Sequence, residues 1–519
     1  MIVRVRYAPS PTGNQHIGSV RTALFNYLYA RSRGGKFILR LEDTDRSRCD
    51  EKYVTNLYET FDWLGFRWDE GPDVSGPSAP YIQSERLELY RKYADELIKK
   101  DLAYYCFCTS DRLERIRKER EAAHSSESGY DRLCRDIPAE EAERRAAGGE
   151  PHTIRLKIPL GSLRKLPPDS GQKLPQDSAE PVPSTVFYDH ILGNIEWKNQ
   201  DLNPDPVLLK SDGYPTYHLA VVVDDHLMGV THILRAQEWL PSTPLHVIMY
   251  NGLGWEKPEF CHLPMVMGLD GKKLSKRHGA SSIDEFRSQG YLPEALINYV
   301  AMVGCSYEEG KDIYTLEELA SHFSIEKLNK APAIFDYKKL EWYNGQYIRM
   351  KTDEELARLA GPLAIDAGLF DTSDLIGTKI EPDDEQWTVF VKAMPLIKER
   401  INFLKEVPVK INYLFHEVRF PEPQEFFPKK TDLAGTISLL KKGRELISAI
   451  SPAKDDAEAE TLTKAFAEKE ELKLGDLMMP VRVAITGERI SPPLFGSIRL
   501  LGTQKALDRI DKALEWLNK

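Results

Sequence analysis

Val3-Arg4-Val5-Arg6-Tyr7-Ala8, followed by Pro9-Ser10-Pro11-Thr12-Gly13-Asn14-Gln15-His16-Ile17-Gly18, decides the architecture of this chain. The first six residues alternate apolar and polar side chains, as a strand does. The next ten are rich in turn formers and cannot continue it. From Ser19 the period becomes helical: Val20, Ala23, Leu24, Tyr27 and Leu28 share one face, with Ser19 as the expected N-cap. Gly34-Gly35 stops that helix. Lys36-Phe37-Ile38-Leu39-Arg40-Leu41 is then a mostly apolar run of strand length, as expected for a strand buried on both faces of a parallel sheet. The unit is strand–loop–helix–strand, and the right-handed crossover rule makes it half of a doubly wound α/β sheet.

Ligands of such sheets bind outside the carboxyl ends of the strands. That edge carries Arg6, Ser10, His16, Gly18 and, in Glu42-Asp43-Thr44-Asp45, the carboxylate of Glu42. A helix start with glycine and histidine beside it suits phosphate, because free N–H groups and the helix dipole point at it. Neither a Walker A loop nor a G-x-G-x-x-G pattern occurs anywhere. Taken alone, the stretch reads as a turn followed by a surface histidine.

The remainder bounds the class. At about 100–200 residues per domain, 519 residues imply three or four domains, and 41% hydrophobic with 29% charged residues excludes wholesale disorder, collagen and coiled coil. No apolar run reaches the roughly 18–20 residues of a membrane span, and the chain opens as a strand rather than a targeting peptide, so the cytosol is expected. Six cysteines make no disulfide scaffold. A net charge of −10 argues against a protein that coats nucleic acid, though not against an enzyme with a local basic face.

A second signal is Gly271-Lys272-Lys273-Leu274-Ser275-Lys276-Arg277-His278-Gly279, a basic run between glycines. Such runs are usually solvated faces. This one follows the apolar Leu263-Pro264-Met265-Val266-Met267 and reads as a loop that closes lysines over a polyphosphate.

His16-Ile17-Gly18-Ser19 resembles the first signature of class I aminoacyl-tRNA synthetases, and Lys273-Leu274-Ser275-Lys276-Arg277 the second. Arg6 to Gly13, Leu41 to Asp45, Ser211-Asp212-Gly213-Tyr214-Pro215-Thr216-Tyr217-His218-Leu219-Ala220 and Arg235-Ala236-Gln237-Glu238-Trp239 resemble the bacterial type of glutamyl-tRNA synthetase. The resemblance runs through most of the chain and weakens over Leu166 to Pro183 and Asp371 to Lys473. It implies a Rossmann-like, doubly wound parallel sheet with an inserted α+β acceptor-binding domain and C-terminal all-helical anticodon-binding domains. The expected boundaries are residues 1–105 and 204–255 for the two catalytic halves and 106–203 for the insertion. Residues 256–350 would carry the lysine loop and stem contacts, and 351–519 the helical region.

The family's reaction joins glutamate to tRNA through an acyl-adenylate, with ATP and Mg2+. The protein's work there is positioning and charge stabilisation. By resemblance, His16, Lys273 and Lys276 are catalytic; His16, Gly18, Glu238, Trp239, Lys273, Ser275 and Lys276 hold ATP; and Arg6, Ala8, Ser10, Glu42, Tyr217 and Arg235 hold glutamate. An arginine fork suits a carboxylate as lysine does not. Arg235 is assigned to the side-chain carboxylate and Glu42 to the α-ammonium. Glutaminyl relatives lack the matching arginine, and many family members have asparagine where this chain has Val221.

Cys106-Phe107-Cys108 with Cys134 resembles the zinc-binding insert of some members. A Tyr-x-x-x-Cys spacing makes Tyr130 the expected fourth ligand, ahead of Asp136. Reduced cysteines without metal are the alternative. The family's partners are tRNA(Glu) and, in relaxed forms, tRNA(Gln), and its norm is a monomer. A paralogue that glutamylates an anticodon base lacks the C-terminal helical region. A small-molecule adenylyltransferase leaves the paired arginines unexplained, and a non-catalytic scaffold leaves both ATP signatures without a use.

Secondary-structure expectations complete the reading: a charged helix over Asp111 to Ala123, strands over Ile154 to Ile158, Leu219 to Val223 and Gly229 to Leu234, an exposed loop over Leu166 to Pro183, and a helix from Pro293.

Overall fold

The computed structural model describes residues 2–124, 129–161, 183–274, 279, 282–369 and 385–519. Residues 166–182 of the Pro-rich stretch, and Ser275 to His278 of the lysine run, lie outside them. The chain divides into two units, Met1–Phe286 with Ile297–Asp336, and Arg287–Leu296 with Tyr337–Lys519.

In the first unit β1 (Arg4–Tyr7) pairs in parallel with β2 (Lys36–Leu39), Arg4 opposite Lys36 and Tyr7 opposite Leu39. Between them runs α1 (Ile17–Ser32), with Val20, Ala23, Leu24, Phe25 and Leu28 buried. Its N-cap is His16, three residues before the expected Ser19. His16 Nδ1 accepts from the Ser19 N–H (3.2 Å), and Ser19 Oγ accepts from the His16 N–H (3.0 Å). Ser19 is thus the return half of a reciprocal cap. After α2 (Glu51–Leu64) and α3 (Leu87–Lys99), the strands β3 (Ala103–Cys106), β4 (Thr153–Leu156) and later β7 (Val207–Leu209) form an antiparallel sheet. Between β3 and β4 run α4 (Ser110–Ala122) and α5 (Ala139–Ala147).

The four-stranded sheet has the order β6–β5–β9–β8: β5 (Ser184–Asp189) and β6 (Gly193–Lys198) are antiparallel, whereas β9 (Glu259–Leu263) runs parallel to β5 and to β8 (His232–Ala236). β1 lies beside β8, since the Thr231 N–H donates to the Arg4 carbonyl (2.9 Å). Two short parallel strands, β10 (Val266–Met267) and β11 (Ala333–Ile334), follow.

Leu219 to Val223 corrects the strand expected there: it lies inside α6 (Tyr217–Leu227). The run Val221-Val222-Val223 has strand composition, but all three side chains are buried in one cluster with α3 and α7 (Thr243–Leu253). A helix enclosed on all sides loses the polar stripe that would betray its period. The next strand is β8, which begins at His232 rather than Gly229, because Gly229 has a positive φ in the turn after α6.

The second unit has helices, and no strand, among its described residues, from Tyr337–Met350 and Asp353–Asp366 to Leu494–Leu501 and Thr503–Leu517. One core gathers Leu440, Leu446, Ile447, Leu477, Val481 and Ile510.

A Cβ at Gly35 would run into the Val3 carbonyl oxygen that accepts the Lys36 N–H. Gly35→Ala should therefore destabilise the first unit by about 1–3 kcal/mol, read as a lowered calorimetric transition for that unit. An unchanged transition would remove the steric argument.

Candidate active site

A cleft of 1580 Å³ opens at the carboxyl ends of β1 and β8. Arg6, Ala8, Ser10, His16, Gly18, Glu42, Tyr217, Arg235, Glu238, Trp239 and Lys273 all line it, brought together from five separate stretches of sequence. Ser275 and Lys276 fall outside the described residues. Val221 also lines the cleft, nearly fully buried.

The two arginines expected at the amino-acid pocket live in opposite electrostatic settings. Arg6 donates through Nε to Asp225 (3.1 Å), and Arg40 donates to the same carboxylate (2.7 Å) and to Glu42 Oε1 (3.1 Å). Arg40 Nε lies 3.6 Å from Asp224 Oδ2, an ion pair without a hydrogen bond. Asp224 also takes Arg86 (2.7 Å), Gln83 (2.9 Å) and Tyr90 (2.8 Å). Three guanidiniums thus meet three carboxylates. Burial pushes the Asp225 carboxyl up, but Arg6 and Arg40 outweigh it and hold it below the usual range. Glu42 is raised, because burial outweighs Arg40.

Arg235 has no such counterion: among the described residues no carboxylate lies within ion-pair distance. Its Nη1 donates to Tyr217 Oη (2.9 Å), Nη2 to Thr243 Oγ1 (2.7 Å) and Nε to His262 Nε2 (3.1 Å). It is only 4% exposed, so its charge is buried among neutral acceptors. Burial pushes His246 well below its ordinary range and His218 down to about 4, and the Arg235 charge adds to both shifts. A buried, pre-solvated, uncompensated cation favours an arriving anion. The Tyr217 ring packs on Trp239, centroids 4.4 Å apart.

The phosphate-like end is built differently. Because His16 Nδ1 accepts the Ser19 N–H, the neutral ring carries its proton on Nε2, a donor at the helix start. Partial desolvation and nearby Lys273 lower the His16 pKa. Lys273 sits in a hairpin closed by Leu274 N–H to the Val266 carbonyl (3.0 Å), with Gly271 at φ +72° in the turn, and its Nζ reaches Glu238 Oε2 (2.6 Å).

Away from the cleft, Cys106, Cys108 and Cys134 have sulfurs within 4.8 Å of one another, and Asp136 is not part of that group. Tyr130 Oη lies 3.3 Å from Cys106 Sγ and 3.7 Å from Cys108 Sγ, and it accepts the Cys134 N–H (2.9 Å).

Asp225, Arg40, Asp189, His262 and Thr243 are cleft-supporting residues that the sequence reading passed over. The signal for one was present: two adjacent carboxylates, Asp224-Asp225, at the end of an apolar run must be paired if buried.

The chain matches the model "tRNA synthetases class I (E and Q), catalytic domain" over residues 2–167 and 176–342, and "Anticodon binding domain" over 355–514. A glutamate–tRNA ligase of Treponema denticola is 55% identical over 99% of both chains, and one of Borrelia recurrentis is 46% identical over 100% of this chain and 96% of the relative. The crystal structure of a glutamate tRNA ligase from Elizabethkingia meningosepticum, in complex with its amino acid, superposes with a TM-score of 0.83 at 34% identity over all of both chains.

A histidine with a lowered folded pKa stabilises the fold fully above its unfolded value and loses that contribution as pH falls to the folded value. For His218 the window runs from 6.5 down to about 4. His218→Gln should flatten the loss of stability across that interval in urea titrations; an unchanged slope would refute the shift.

Proposed function

The chain belongs to the class I glutamyl-tRNA synthetases, the bacterial glutamate–tRNA ligases, and from that premise we infer how its cleft divides the reaction. The enzyme activates L-glutamate with ATP and Mg2+ to glutamyl-adenylate, then transfers the acyl group to the 2′-hydroxyl of the terminal adenosine of tRNA(Glu). The observation that carries our residue assignment is Arg235, a buried guanidinium surrounded by neutral groups only. We assign it to the glutamate side-chain carboxylate. A neutral amide in that place would leave the cation unpaired, which is a basis for rejecting glutamine.

Arg6, already shared with Asp225, then serves the α-carboxylate; Glu42, Ser10 and the Ala8 backbone serve the α-ammonium end, and Tyr217 completes the pocket. The α-carboxylate attacks the α-phosphorus of ATP and pyrophosphate departs. His16, through Nε2–H, and the close backbone approach at Gly18 hold the triphosphate. Lys273 and, from its place in the sequence, Lys276 neutralise charge growing toward pyrophosphate, with Ser275 alongside. Lys273 exchanges Glu238 for phosphate in the process, freeing Glu238 to join Trp239 at the adenosine. None of these steps needs a covalent enzyme intermediate.

The Cys106, Cys108, Cys134 and Tyr130 cluster fits Zn2+. Tetrahedral zinc with thiolates at about 2.3 Å needs sulfurs roughly 3.8 Å apart, and Cys108 and Cys134 stand 3.5 Å apart. Zinc there would staple the insertion. We place the acceptor end of tRNA on residues 106–203 and the anticodon on 351–519, in a monomer working in the cytosol, where translation needs it.

Arg235→Ala should cut kcat/KM for glutamate by about 10²-fold or more, the scale of an unpaired charged contact, while ATP KM stays near that of the parent. Lys276→Ala should instead slow adenylate formation in single turnovers with glutamate KM retained. Equal losses for both substrates in Arg235→Ala would overturn the assignment. For the metal, protein purified without chelator should carry one equivalent of zinc, lost in Cys134→Ser; a value far below one sinks the proposal.

A further inference from the structure

We propose that Asp189 and His262 are positioning residues for glutamate selection, an imidazole relay that aims Arg235 without neutralising it. The inference rests on the assignment of Arg235 to the side-chain carboxylate. In the sheet, β9 lies between β5 and β8, and its register sets His262 directly opposite Arg235 and Phe260 opposite Asp189. All members are enclosed: Asp189, His262 and Thr243 have no exposed surface.

The donors and acceptors allow one arrangement. Asp189 Oδ1 accepts from the N–H groups of Ile191 (3.0 Å) and Leu192 (2.9 Å). Its Oδ2 accepts from the His262 N–H (3.0 Å) and from Nδ1 (2.7 Å). The carboxylate is thus fixed by three backbone groups, and it obliges His262 to carry its proton on Nδ1. Nε2 is then a lone pair, and it accepts from Arg235 Nε (3.1 Å) and from the Thr243 hydroxyl (3.1 Å), whose oxygen in turn accepts from Arg235 Nη2 (2.7 Å). The Nε–Nη2 edge is held, Nη2 also donating to the Trp239 carbonyl (3.4 Å), and the Nη1 side, which meets Tyr217 Oη and lies 3.5 Å from His246 Nδ1, is the side turned to the tyrosine that lines the cleft.

The imidazole spacer has a physical purpose. A carboxylate placed directly on Arg235 would orient it equally well, but it would cancel the charge and repel an incoming carboxylate. With a neutral ring between them, Asp189 dictates direction while the cation stays available. Burial lowers the His262 pKa and the Arg235 charge adds to this, against the pull of Asp189, so the ring stays neutral.

The test uses two near-isosteric replacements. In His262→Asn the amide still reaches Asp189 but is too short for Arg235; in His262→Gln it reaches Arg235 Nε as an acceptor and forgoes Asp189. Glutamate KM should rise at least about tenfold in His262→Asn, the size of one lost bond to a charged group, with ATP KM and melting temperature close to the parent's. In His262→Gln glutamate KM should be at least about tenfold lower than in His262→Asn. Equal KM in the two variants, or parallel rises in glutamate and ATP KM, would reduce the pair to ordinary packing and overturn the relay. Should His262→Asn not fold, Asp189→Asn carries the test. Its amide donates to Nδ1, moves the proton to Nε2 and sets it against Arg235 Nε–H, so the same glutamate-specific loss is expected, and an unchanged glutamate KM refutes the proposal. Arg235→Ala, run in parallel, separates the two claims: if it leaves glutamate KM unchanged, the pocket assignment fails; if it raises it while the His262 variants do not, only the relay fails.

Discussion

The guanidinium of Arg40, with no exposed surface, joins Asp225 and Glu42 by hydrogen bonds and Asp224 by charge, and through Asp225 it reaches Arg6. These groups come from β1, from the end of β2 and from α6, whose Asp225 lies 185 residues beyond Arg40. The floor of the cleft therefore exists only when the two halves of the catalytic unit have met. Such a network adds little over an apolar core of the same volume, yet loss of one member strands a buried charge at a cost of about 3–5 kcal/mol. It specifies which surfaces meet more than it stabilises their meeting. This lock, rather than chain continuity, sets the register of the cleft across the long stretch of chain between Glu42 and Asp224.

Beside that balanced floor stands Arg235, a buried cation held by neutral groups. A pocket in which every cation had a protein counterion would bind a zwitterion without favouring an additional carboxylate. One in which both arginines were free would pay repulsion and desolvation twice. On the assignment we propose, neutral acceptors around Arg235 and carboxylates around Arg6 divide the work between recognising the extra acid group and holding the part common to all amino acids. The end we assign to phosphate follows another logic: His16 closes the first turn of α1 with Nδ1, which leaves Nε2–H as a free donor, so one side chain both starts a helix and orients a donor.

What could be read from the chain was local. The unit β1–loop–α1–β2 was legible because its alternation, its turn residues and its helical period all lie within forty residues. The strand–loop–helix–strand unit by itself put Arg6, Ser10, His16, Gly18 and Glu42 at one edge, and all five line the cleft, whereas Tyr217, Arg235, Glu238 and Trp239 came only through resemblance; Arg6 and Asp225 stand 219 residues apart, and no periodicity reports such a pairing. The helix cap was placed three residues late because serine is the commoner cap, and histidine takes that role through a ring nitrogen. The valine run of α6 reads as a strand because β-branched residues fit either state once a segment is enclosed on every side, and its neighbours α3 and α7 decide.

The partners of Arg235 likewise carry no local signal in the sequence. A histidine and an aspartate on buried strands look, residue by residue, like core groups satisfied by hydrogen bonds, and Asp189 and His262 are such groups. Their distinction is directional: each bond leaves its acceptor one choice of proton position, so information about orientation passes from three backbone N–H groups through a carboxylate and a ring to a guanidinium. Composition cannot encode that direction. It arises from strand order, because only with β9 between β5 and β8 does the ring lie between the acid and the base.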